Sequence, residues 1–271
     1  MGARTSSADT LGISAFIVAS AAVCRVSHIV CVLVTNCLWC LSCAGAAERA
    51  SWDELTAEQG LTRWRTEAAN ESWRIVGNVA LNGTERKSLV ARPGHGVIVS
   101  LHGDGADLMT KRSYGDIDVH LEFMIPKGSN SGVKLMGLYE IQIYDSHGVT
   151  TPSADDCGGI YPRAEQHPKY HLIDRGTAPQ MNASKPAGEW QTLDIEFAAP
   201  RFNAHGQKLS NATFAKVVRN RHVIHEDVEV AYPTGKAWRL KREVRRGPLL
   251  LQGDHGPVAF RSVRVRDRMM L

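Results

Sequence analysis

An all-β fold is what the sequence predicts beyond residue 70, and three observations carry the reading. Short runs of β-branched or aromatic residues recur between Gly, Pro, Asn and Asp. Several of these runs alternate between apolar and polar side chains, the period of a strand with one face buried and one wet. Cys157 is the lone cysteine of residues 47–271, so no internal disulfide is available and a packed core has to hold the fold. About ten such runs in one domain imply a sandwich or barrel of antiparallel strands.

Along the chain, residues 51–69 (SWDELTAEQGLTRWRTEAA) are the one stretch with helical periodicity. Strands are expected at 73–80, 96–101, 117–125, 132–138, 139–144, 191–198, 214–218, 222–230, 248–252 and 258–266. In Asp118-Val119-His120-Leu121-Glu122-Phe123 the apolar residues point to the core and the polar ones away. The same alternation places Leu193, Ile195 and Phe197 inward, and it recurs through residues 261–266. Asn130-Ser131-Gly132, after Gly128, reads as a tight turn, and Gly253-Asp254-His255-Gly256 as the hairpin turn joining the last two strands. The basic stretch 236–246 (KAWRLKREVRR) reads as a solvated loop or edge.

Residues 1–46 differ in composition from the rest. A mostly apolar stretch begins at Leu11, is broken by Arg25 and His28, and ends in the small-residue run Ser42-Cys43-Ala44-Gly45-Ala46. That layout is an export signal, with cleavage expected before Ala47 and a periplasmic or extracellular location for residues 47–271 as a single domain. An uncleaved anchor is the alternative, although 29–41 is shorter than the roughly 20 residues a membrane span needs. Five of the six cysteines lie in this segment, where a thiol serves as a small apolar side chain. The formal net charge of +4, spread over 32 basic and 28 acidic residues, lacks the clustered excess that a nucleic-acid partner would require. No Gly-rich phosphate loop follows a strand into a helix, so nucleotide chemistry has no support.

The most informative stretch is Tyr139-Glu140-Ile141-Gln142-Ile143-Tyr144-Asp145. Glu140 and Gln142 fall on the face opposite Ile141 and Ile143 and point off the core together, either into a groove on the outside of a sheet or onto an ordinary solvated face. Asp145 is out of phase with Glu140 and joins that face only if a bulge intervenes. Tyr161, at the end of Cys157-Gly158-Gly159-Ile160-Tyr161, either stacks on a sugar or plugs a core edge. No HxH or HExxH spacing marks a metal centre, and Cys157, with no marked partner, is expected to be inert.

At this point the residues resemble a known family. Tyr114-Gly115-Asp116, Asn130-Ser131-Gly132-Val133, the stretch 139–145, Gly159-Ile160-Tyr161, Gly188-Glu189-Trp190-Gln191 and the terminal 247–252, His255-Gly256 and 258–263 are similar, in order and spacing, to the 3-keto-disaccharide hydrolase domain. The resemblance implies a concanavalin A-like jelly-roll β-sandwich of two antiparallel sheets, the architecture also used by laminarinase-like glycoside hydrolases. Those enzymes carry a Glu-x-Asp-x-x-Glu strand, which Glu140 to Asp145 resembles in layout but with Gln142 in the middle and Asp145 last. Paired carboxylates for ordinary retaining hydrolysis are therefore not expected.

What the resemblance implies instead is hydrolysis or elimination of a 3-keto-glycoside, with a carbohydrate as partner. The expected catalytic residues are Glu140 as base, with Asp145 and His255; Gln142, Tyr161, Asn130 and Tyr144 are expected to contact substrate. A divalent metal is a family-level option that the sequence does not require, and the oligomeric state is left open. A carbohydrate-binding module that keeps the groove without the chemistry is the alternative from a different class.

Overall fold

The computed structural model describes residues 51–56, 60–65 and 72–268. The expected export segment, 1–46, lies outside the described residues. The principal strands are β1 (Trp73–Leu81), β2 (Leu89–Ser100), β3 (Leu108–Tyr114), β4 (Ile117–Met124), β5 (Asn130–Leu135), β6 (Tyr139–Tyr144), β7 (Gln191–Ala198), β8 (Ala212–Arg219), β9 (His222–Val230), β10 (Gly247–Leu251) and β11 (Val258–Asp267). An eight-stranded sheet runs β9-β8-β7-β4-β11-β2-β1, with Asp53–Glu54 paired to β11; a five-stranded sheet runs Trp64–Arg65, β3, β10, β5, β6. All of these pairs are antiparallel. The chain passes back and forth between the sheets, β3 in one and β4 in the other, then β5 and β6 against β7 to β9. The result is the jelly-roll sandwich that the resemblance implied.

Alternation explains the core. Val119, Leu121 and Phe123 of β4 and Leu193, Ile195 and Phe197 of β7 are buried, and they meet Val133 and Leu135 of β5 and Tyr139, Ile141 and Ile143 of β6 from the facing sheet. Phe197 sits at the seam, its ring centroid 5.5 Å from Tyr139 and 5.3 Å from Phe214, the latter edge-on. Cys157 is buried, and burial pushes its thiol pKa up.

Each expected run overlaps a strand, but four local readings need correction, one of them the hairpin at 253–256: β10 and β11 lie in different sheets, so that segment crosses between the sheets. The helical pattern of 51–69 gives, among its described residues, two short strands and a 3₁₀ turn at Gly60–Arg63. Trp64 overrides the local period: it is fully buried and donates its indole N–H to the Leu55 carbonyl at 3.0 Å. β3 went unrecognised because Lys111 and Arg112 interrupt its apolar pattern. The turn expected at 130–132 lies one step earlier, where Ser129 N–H donates to the Pro126 carbonyl at 3.2 Å and Gly128 takes a φ of 69°. Asn130 and Gly132 are strand residues.

Phe197→Ala should leave a cavity between the sheets and cost about 3–5 kcal/mol. Leu209→Ala, at a position 68% exposed, should stay within about 0.5 kcal/mol of the parent. Urea denaturation of both variants checks this, and equal midpoints would contradict the assigned core.

Candidate functional site

The site is built on the β5–β6 hairpin. Asn130 pairs with Tyr144, Gly132 with Gln142 and Lys134 with Glu140, with no shift in register. Because side chains alternate, these six residues share the face turned away from the core. Their strand is not left as an edge. Thr234 covers its first half, with Glu140 N–H donating to Thr234 Oγ1 at 3.0 Å and Thr234 N–H to the Leu138 carbonyl at 2.9 Å. The segment 158–161 covers the second half: Gln142 N–H donates to Gly159 O and Gly158 N–H to Gln142 O, both at 2.8 Å, and Tyr161 N–H donates to Glu140 O at 3.1 Å. With its backbone groups paired on both sides, β6 has little freedom to move.

Glu140 and Gln142 emerge off the core as expected, but they do not stand open to water: they are 3% and 4% exposed. The Glu140 carboxylate occupies the space a side chain would take at Gly132, where a Cβ would lie 2.4 Å from Oε1. Its other oxygen, Oε2, lies 3.2 Å from Lys134 Nζ. Burial pushes the Glu140 pKa up; the Lys134 charge opposes that, the Asp107 charge adds to it and His255 works against it. Burial likewise disfavours the Lys134 ammonium, but the Glu140 and Asp107 charges outweigh it and its pKa is raised. Asp107, which accepts a hydrogen bond from Gly253 N–H at 3.3 Å, is pushed up by burial first, against the pull of Lys134 and with the push of Asp254. A desolvated carboxylate thus faces a charged ammonium, with two further acids, Asp107 and Asp254, within electrostatic reach of that ammonium.

Of the residues expected at a site, Glu140, Gln142, Asn130 and Tyr144 lie together, and Gln142 Nε2 donates to Asn130 Oδ1 at 3.2 Å. Tyr161 follows on the adjoining segment. His255 is exposed on the β10–β11 connection, bonded to Asp254, and its charge acts on Glu140. Asp145 does not join them. β6 has no bulge, and the Asp145 carboxylate instead accepts Gly128 N–H at 3.0 Å, tying the preceding turn. Sequence reasoning missed Lys134, Asp107, Asp254 and the role of Gly132. The signal for Lys134 was a lone cation inside an apolar run, two residues from Gly132 and so on its face. Among the described residues no group of three or more His, Cys, Asp or Glu side chains gathers in a metal-ligating arrangement.

Residues 51–266 match the family model of the 3-keto-alpha-glucoside-1,2-lyase-like domain. Among solved structures, a candidate glycosyl hydrolase from Parabacteroides distasonis superposes with a TM-score of 0.58 at 24% identity, covering 80% of this chain and 84% of that one. A second candidate glycosyl hydrolase from the same organism superposes at 0.51 with 21% identity, covering 80% of this chain and 100% of that one. At these identities the two structures establish the shared fold. No curated protein sequence matches the chain significantly.

Gly132→Ala tests the seating of the carboxylate. The added methyl displaces Glu140 from its ion pair and is expected to cost about 1–3 kcal/mol by overpacking. Gly83→Ala, where a Cβ meets nothing within 4 Å, should be close to neutral. Thermal unfolding of the two variants decides, and equal melting temperatures would show that Gly132 is not what makes room for Glu140.

Proposed function

The chain belongs to the 3-keto-alpha-glucoside-1,2-lyase-like domain family, a carbohydrate-active family, and on that premise we propose that it cleaves glycosides already oxidised to a ketone at C3. One observation carries the reading: the buried Glu140 carboxylate with Lys134 Nζ 3.2 Å away. A C3 ketone acidifies the hydrogen on C2. Glu140 takes that proton, and the electron pair of the C2–H bond passes into an enolate spanning C2, C3 and the ketone oxygen. In this reading the Lys134 ammonium stabilises the negative charge that develops on that oxygen. The enolate then collapses: a C1–C2 double bond forms, the bond from C1 to the glycosidic oxygen breaks, and the departing alkoxide takes up a proton. Addition of water across the new double bond completes a net hydrolysis; without it the reaction is an elimination.

The surroundings fit this division of labour. Keeping water from Glu140 makes its carboxylate a stronger base than one in solvent, because the charged form loses hydration that proton uptake no longer has to displace. Gln142 and Asn130 offer amide groups for sugar hydroxyls, Tyr144 and Tyr161 offer ring faces, and exposed His255 lies on the β10–β11 connection, close enough for its charge to act on Glu140. The export signal expected in residues 1–46 would place this chemistry outside the cytoplasm, where oxidised disaccharides from the surroundings are met.

The full chain incubated with 3-keto-trehalose should turn it over, and Glu140→Gln should lower kcat by about a hundredfold or more. The pH profile has a definite sign. The base must be ionised, and its pKa is raised, so the acid limb of kcat/KM should lie above the ordinary glutamate range. Lys134→Met removes the cation that favours the carboxylate and should move that limb to still higher pH while lowering kcat. Wild-type turnover in Glu140→Gln would refute the assignment of the base, and saturable binding without turnover in the unmutated chain would favour a binding module.

A further inference from the structure

Resting on that reading, we propose that the surface beyond β6 is a subsite for the leaving group, specific for a second sugar ring, and that Tyr232 is the side chain on which this ring stacks. The backbone lays the subsite directly beside the reacting centre. Gly159 and Tyr161 are hydrogen-bonded to Gln142 and Glu140, and the chain continues into Pro162 to Ala164, which pairs in turn with Gly235 through Gly235 N–H to Pro162 O at 2.8 Å and Ala164 N–H to Gly235 O at 3.0 Å. Gly235 follows Thr234, whose hydroxyl accepts the Glu140 N–H, and a Cβ built on Gly235 would lie 3.9 Å from Glu140 Oε2. Tyr232 is therefore carried by the same loop that closes over the catalytic carboxylate.

Of the aromatic side chains on this surface Tyr232 and Tyr170 are exposed and Trp238 and Tyr161 half-buried, and each has a contact that holds it. The Arg163 guanidinium lies 4.7 Å from the Tyr232 ring centroid and 5.3 Å from that of Trp238, and Arg163 Nε donates to Asp174 Oδ2 at 2.7 Å. Trp238 donates its indole N–H to Ala164 O at 2.9 Å. Nearer Glu140, the Tyr161 and Tyr170 hydroxyls are hydrogen-bonded at 2.7 Å. Tyr232 nonetheless keeps 53% of its surface in water and Tyr170 47%. A tyrosine ring, with few side-chain torsions to fix, gives up little entropy when a ligand stacks on its exposed surface. The C–H face of a pyranose supplies the apolar partner, while the tyrosine hydroxyls, Arg163 and Asp174 supply donors and acceptors for its hydroxyls. A small alkyl leaving group would reach none of these.

The test compares 3-keto-trehalose, whose leaving group is a sugar ring, with methyl 3-keto-α-glucoside, whose leaving group is methanol. In the full chain, the ratio of kcat/KM on the disaccharide to that on the methyl glycoside should fall about tenfold in Tyr232→Ala and hold in Tyr232→Phe, which keeps the ring. An unchanged ratio in a folded Tyr232→Ala protein overturns the subsite, as does an equal fall in both variants. Calorimetric titration of 3-keto-trehalose into Glu140→Gln, with and without Tyr232→Ala, separates this inference from the assignment of the base. Should neither compound be turned over by the unmutated chain, the base assignment fails on its own; weaker binding in the Tyr232 variant still supports the subsite, and equal binding refutes it.

Discussion

A carboxylate deprived of water on the outside of a sheet must be compensated by something that is itself held in place, and that requirement organises this end of the molecule. Glu140 meets it with one cation and one missing side chain. Lys134 stands across the hairpin in the paired register position, and Gly132 beside it leaves the room that the carboxylate fills. Neither compensation works if the strands slip, because a shift of one residue would carry Lys134 and Gly132 to the core and Val133 to the carboxylate. The continuous register of β5 with β6 is thus a condition for the site as well as for the sheet.

The same requirement explains why β6 is not left as an edge. An edge strand breathes and admits water, and a buried ion pair loses its worth as water enters. Thr234 and the 158–161 segment close that side, and the segment has its own anchor in Arg219. Arg219 is 1% exposed, yet its hydrogen-bond partners are neutral: the Cys157 carbonyl, the Ser184 hydroxyl and Gln191 Oε1, with the Phe123 ring 5.8 Å from the guanidinium carbon. His225, whose pKa burial lowers, donates from Nε2 to the Gly158 carbonyl at 2.7 Å. Gln191 accepts from Arg219, from Asn220 and from the Lys185 N–H. Buried polar groups in the large sheet therefore hold the loop that seals the small one. A network of this kind is costly to leave half satisfied, which favours one arrangement over its alternatives.

How far the residues themselves revealed this can be judged from particular elements. Alternation identified β4, β7 and β11 and the inward set Val119, Leu121, Phe123, Leu193, Ile195 and Phe197, because period-two burial is written directly into a strand covered on one side. It also put Glu140 and Gln142 on the off-core face. It failed at β3, where Lys111 and Arg112 mask the pattern, and at 51–69, where burial of Trp64 decides the local conformation. Gly132 was read as a turn residue because glycine usually signals backbone freedom. Its use here is volume, and volume is a property of what lies across the hairpin.

Residue order was enough for the all-β class, the one-sided strands, the off-core direction of Glu140 and Gln142, and the family resemblance, since each depends only on local succession and a two-residue period. What needed the tertiary structure is that Glu140 is buried, that Lys134 is its partner, that Asp145 serves a turn, and that Tyr232 lies on the loop that pairs with β6, with Arg163 against its ring. The physical reason is that charge compensation and desolvation depend on distances through space, and those distances are set by the pairing of segments as far apart in the chain as residues 140, 161 and 234.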